Sequence, residues 1–103
     1  MRGRVRIENI EELRVHEGIE DEELRKAIKR LRVGDFVKVT LLPTGSSCAG
    51  ETLLVRLTKI DGDRFVGKLH EEPTLAGLSL VHVGSSLAFQ TGHIHSVFKR
   101  ELP

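Results

Sequence analysis

The stretch LTKIDGDRFVGKLHEEP, Leu57 to Pro73, carries the clearest pattern in the chain. It reads as a strand, a two-residue turn and a second strand closed by a proline. Asp and Gly both tolerate positive φ, so Asp61-Gly62 predicts a type I′ hairpin turn. Past the turn, Phe65 and Leu69 alternate with Lys68 and His70, and Gly67 falls on the Phe65 side. A glycine inside a strand marks a bend where another backbone passes close by. Nothing in the hairpin resembles a catalytic set, which raises the question of whether the sheet around it is an enzyme or a surface for a partner.

The flanking segments extend the same pattern. In ETLLVRLTKI, Leu53, Val55 and Leu57 share one face and Thr52, Leu54, Arg56 and Thr58 the other. Upstream, Val37, Val39 and Leu41 of DFVKVTLLP alternate with Lys38 and Thr40, a half-buried strand ended by Pro43. TGSSCAG between them is a loop by its glycine and serine content. Downstream, EPTLAGLSLVHVGSS is a turn-rich connection with some strand in it, and LAFQTGHIHSVF gives a last strand and a short return.

The first part of the chain reads differently. Val5, Ile7 and Ile10 predict a short strand ending near Asn9, followed by a polar connection through Gly18. In EDEELRKAIKRLRVGD, Leu24, Ala27, Ile28 and Leu31 recur at helical spacing and form one apolar stripe. Asp21, Glu22 and Glu23 occupy its first turn and Lys29, Arg30 and Arg32 its last, the order a helix dipole favours. Glu22–Lys26 and Asp21–Arg25 add i,i+4 pairs, and Gly34 stops the helix. The expected architecture is α+β but mostly β: a small antiparallel barrel of about five strands over 34–103. The N-terminal strand, connection and helix fill 1–33, and the whole chain, 1–103, forms one domain.

Composition narrows the function. The chain has 103 residues, 39% of them hydrophobic and 30% charged, as in a globular protein with one core. It holds no Trp, no Tyr and four Phe, which predicts an aliphatic core. Sixteen Lys and Arg face fifteen Asp and Glu, a net charge of +1. Residues 1–32 carry nine basic and eight acidic groups and the rest seven of each, so neither part shows the basic excess of a nucleic-acid binder. The charged start MRGRVRIENIEE lacks the apolar run of a signal peptide, and no segment is long and apolar enough for a bilayer. A cytoplasmic protein is expected.

Five groups are candidates for chemistry. His93 and His95 in GHIHSV would share a face on a strand and could reach a metal, given a third ligand from His70, His82 or Glu71. Two exposed rim histidines are the plainer reading. Cys48, the only cysteine, sits in a small-residue loop and would need a base or cation beside it to act as a thiolate. Glu71 and Glu72 of HEEP are neighbours on extended chain, point to opposite faces and make a poor acid–base pair. TGSSCAGE lacks the GxxxxGK[ST] spacing of a phosphate loop and precedes a strand, not a helix. RKAIKRLR, Arg25 to Arg32, shares its helix face with acidic residues and reads as a solvated surface.

From Gly50 onward the sequence resembles a bacterial family known only as a domain of unknown function, DUF2314. GETLLVRLTKIDGDRFVGKL is similar to the family's central segment, HEEP to its Asn-Glu-Pro step, and GLSLVHVGSSLAFQTGHIHSV to its closing segment. VGDFVKVTL fits the strand that precedes them. Gly50, Glu51, Gly62 and Pro73 match positions of the pattern. Leu54 stands where that family often has Trp, and His93 and His95 where acidic residues are frequent. The resemblance implies an SH3-like barrel and brings no catalytic residue or cofactor.

The expected protein is therefore a non-enzymatic binding module for a protein partner, with no cofactor and no membrane contact. Its expected surface is the face of Leu54, Arg56, Thr58 and Ile60, with Glu51 and the TGSSCAGE loop as a wall. The same face could serve homodimerisation. A nucleic-acid-binding barrel is the alternative, and metal binding at His93 and His95 a weaker one.

Overall fold

The segment DFVKVTLLP supplies the strand with the most partners, pairing with three others. In this computed structural model, which describes residues 6–11, 22–43, 50–75, 78 and 81–98, that segment forms β2, Phe36–Leu42. Chain order gives β1 (Arg6–Ile7), helix α1 (Glu22–Lys29), β2, β3 (Glu51–Asp61), β4 (Arg64–Leu69), β5 (Ser86–Gln90), a 3₁₀ turn (Thr91–His93) and β6 (Ile94–Phe98). Pairing is antiparallel throughout, in the order β1-β2-β3-β4-β5. β6 returns to pair with β2, on the edge that β1 also uses. The 3₁₀ turn carries the chain from β5, the last strand of the path, into β6 on β2, so the sheet curls into a nearly closed barrel. Cys48 and its loop, the connection through Gly18, and Asp21 with its Arg25 pairing lie outside the described residues.

Alternation fills the barrel. Val37, Val39 and Leu41 of β2, Leu53, Val55 and Leu57 of β3, Phe65 and Leu69 of β4, Leu87 and Phe89 of β5 and Ile94 of β6 are all buried in one cluster. Each such side chain contributes about 1.5–3 kcal/mol on burial. The core is not wholly aliphatic. Phe65 and Phe89 oppose each other on β4 and β5 and stack, with centroids 5.8 Å apart. Half of the chain's phenylalanines are thus core residues, because directly paired positions bring two rings into contact with no change of backbone.

Helix α1 buries Ile28 and rests Leu24 on the core, and Leu31, just past its end, packs there too. It ends earlier than its periodicity predicts. Arg30 N–H donates to Ala27 O and Leu31 N–H to Ile28 O, both at 3.1 Å, a tightened last turn that leaves Arg30 and Arg32 beyond the helix. Arg32 N–H then donates to the Asp35 carboxylate at 2.9 Å, and Gly34 takes a φ of 100°. The opening strand is also shorter than expected: it stops at Ile7, and the chain becomes helical at the buried Ile10.

The hairpin departs from the type I′ expectation by one residue. Asp61 pairs with Arg64, so the turn residues are Gly62 and Asp63. Gly62 has a φ of 62° while no described non-glycine residue has a positive φ. Positive φ at the first central position only is the type II′ pattern. The register places Ile60 opposite Phe65, and Ile60 packs on the core. A bulge at Thr58, between the Leu57–Gly67 and Lys59–Val66 pairs, makes this possible. The extra residue inverts the inside–outside alternation, and burying Ile60 beside Phe65 outweighs the I′ preference of Asp-Gly.

Candidate functional site

Because β-strand side chains alternate, the register that builds the core also assembles the outer face. Phe98 pairs with Phe36, Phe36 with Arg56, Arg56 with Lys68, and Lys68 with Ser86, one row of outward side chains across five strands. The neighbouring row runs Ser96, Lys38, Leu54, and is continued by His70, whose N–H donates to Leu54 O at 2.8 Å. Phe98 is 47% exposed and His70, Arg56 and Lys68 are exposed, while Phe36, Lys38 and Leu54 are half-buried.

The aromatic members touch. The His70 ring lies 4.9 Å from that of Phe36 at 68°, and the Phe98 ring 6.5 Å from it at 82°. These are edge-to-face contacts. Phe36 is thus held upright between two neighbours, with Leu54 alongside. Lys38, Arg56 and Lys68 surround this apolar centre. Among the described residues, no carboxylate comes within 4.0 Å of any of the three cations; His82 Nδ1 lies 3.2 Å from a Glu72 carboxylate oxygen. Both rows are free of acidic side chains, although Glu71 at their margin accepts from Leu54 N–H at 2.7 Å.

The expected surface is therefore divided. Leu54 and Arg56 are at its centre. Thr58 occupies the bulge and donates its hydroxyl to Val66 O at 3.2 Å. Ile60 belongs to the core side, which removes it from the face where uninterrupted alternation places it. Glu51 binds backbone: it accepts from Thr74 N–H at 2.8 Å, Thr74 hydroxyl at 2.9 Å and Leu75 N–H at 3.1 Å, anchoring the segment after Pro73. Phe36, Lys38, Lys68, His70 and Phe98 are the members that the sequence reading missed. Phe36 was accessible: it alternates with Val37 and Val39, and an aromatic residue at an outward position is the signal.

Glu51 titrates accordingly. Burial pushes its carboxyl up, but the bonds from Thr74 and Leu75 prevail and hold its pKa below the ordinary value of 4.5. A depressed carboxylate pKa gives stability that is present above the unfolded value and is lost as pH falls through the folded one. Urea midpoints of wild type and Glu51→Gln should therefore differ at pH 7 and converge as pH drops well below 4.5. A constant gap across that range contradicts the anchoring role.

The histidine pair does not form the shared face that alternation suggests. His93 closes the 3₁₀ turn, and its Nδ1 accepts from Gln90 N–H at 2.9 Å, leaving the ring proton on Nε2. Burial holds this imidazole below the usual histidine value. His95 is the extra residue at a second bulge, between the Lys38–Ser96 and Val39–Ile94 pairs, with its Nδ1 3.2 Å from Ser96 Oγ. No group of three His, Cys, Asp or Glu able to hold a metal occurs among the described residues. Two open concavities of about 440 and 470 Å³ flank Phe65 at the hairpin end. Acidic and basic groups mix there, as in the Asp61–Arg64 pair, unlike the cationic rows around Phe36. No helix among the described residues is long and apolar enough to cross a membrane.

No family model, no curated protein and no solved structure matches the chain.

Proposed function

We propose that this protein is a non-enzymatic binding module which recognises a segment of another protein on the outer face of its barrel. The observation that carries the reading is the row Phe98–Phe36–Arg56–Lys68, with Leu54 and His70 beside it. An apolar centre of aromatic residues with a polar rim is the anatomy of a recognition surface. The rigid sheet beneath sets the spacing of these side chains, so little order has to be gained on binding.

Selection of random linear peptides displayed on phage against the immobilised protein tests the proposal. Enriched peptides should shift the amide resonances of Phe36, Leu54, Arg56 and Lys68 in a ¹⁵N-labelled sample. Failure to enrich any sequence, or shifts confined to other faces, overturns it.

A further inference from the structure

The proposed recognition face also carries the chemistry of its partner. We infer that the face takes an acidic linear segment of another protein, with an apolar side chain against Phe36, Phe98 and Leu54 and carboxylates over Lys38, Arg56 and Lys68. The inference rests on the binding-module reading and adds the partner's charge to it.

Charge complementarity carries the argument. The chain as a whole is nearly neutral, at +1, yet the paired positions around Phe36 hold Lys38, Arg56 and Lys68 and no acidic side chain. Cross-strand neighbours of like charge oppose folding, and Arg56 faces Lys68 directly. An anionic partner would relieve that repulsion on binding. At the hairpin end of the same sheet, Asp61 faces Arg64 and the charge is already balanced.

The rings select a peptide over a single-stranded nucleic acid. Bases bind to successive open aromatic faces. Here the rings of His70 and Phe98 stand at 68° and 82° to that of Phe36, so neither continues the Phe36 ring as a parallel platform. An aliphatic or aromatic side chain entering between Phe98 and Phe36 meets rings set edge to face, which suits an apolar anchor. Arg56 adds a planar fork that matches a carboxylate bidentately.

The experiment uses the full chain and three fluorescein-labelled probes: a Glu-Glu-Leu-Phe-Glu-Glu peptide, its Lys-Lys-Leu-Phe-Lys-Lys counterpart and oligothymidylate. By fluorescence anisotropy, the acidic peptide should bind at least about tenfold more tightly than the basic one, and more tightly than the oligonucleotide. Arg56→Glu with Lys68→Glu should weaken the acidic peptide by about tenfold or more and improve the basic one. Arg56→Ala with Lys68→Ala, a milder change at two exposed positions, should weaken it in the same direction. Circular dichroism melts verify that both pairs remain folded. Equal binding of the two peptides, tighter oligonucleotide binding, or folded variants with unchanged affinity overturns the inference. Phage selection separates the two levels: enriched peptides that reach this face but are neutral or basic defeat the acidic partner and leave the binding module standing. Failure to enrich any peptide defeats both.

Discussion

Gly67→Ala should destabilise the fold by about 3 kcal/mol, which lowers the melting temperature of a domain of this size by about 12–24 °C. A Cβ at Gly67 would collide with Val55 Cγ1 and would lie 2.8 Å from the Arg56 carbonyl oxygen. Neither neighbour can yield. Val55 is fully buried at the centre of the core, and Arg56 belongs to a strand paired on both sides. Removing part of the obstruction should recover part of the loss. Gly67→Ala combined with Val55→Ala should be less destabilising than the two single changes added together, the coupling expected of residues in contact. Gly62→Ala provides the contrast: a Cβ there meets nothing within 4 Å, and only the φ of 62° opposes it, at about 1 kcal/mol. Thermal melts of the four variants check the set. A Gly67→Ala variant as stable as Gly62→Ala would show that β3 and β4 do not approach as described.

Leu57→Ala should cost about 2–5 kcal/mol, read as a fall in the urea midpoint with the slope unchanged. Leu57 is fully buried, and it faces Gly67, which offers no side chain to fill the vacated space. Its backbone also ties the connection after α1 to the barrel: its N–H donates to Asp35 O and its carbonyl accepts from Gly34 N–H, both at 2.8 Å. Those two bonds hold the neighbouring chain in place, so the cavity cannot close by simple collapse. A change well below 1 kcal/mol would mean that this part of the core is loosely filled.

Much of the barrel was legible because its signals are local. Val37, Val39 and Leu41, then Leu53, Val55 and Leu57, alternate without interruption, and Pro43 marks the end of the first of these strands. Gly67 announced the close approach that the structure contains. The candidate site was read in part. Leu54 and Arg56 are outward by the same alternation, whereas Ile60 is not, because Thr58 is bulged. His93 and His95 share a face only on one regular strand. A 3₁₀ turn and a bulge replace that strand.

The order of residues along the chain determined which side chains lie inside the sheet, where the helix apolar stripe falls and that both termini of the central hairpin are strand. The partners across the sheet were decided only by the tertiary structure. A bulge such as that at Thr58 or His95 exists in the pairing of two strands, and the Gly62-Asp63 turn was chosen by the burial of Ile60 opposite Phe65. Phe36, His70 and Phe98 are far apart in sequence and meet because β2 pairs with β6 at one edge and β3 at the other. Periodicity is a property of one strand, while a surface is a property of register between strands, and register is settled by the core they jointly bury.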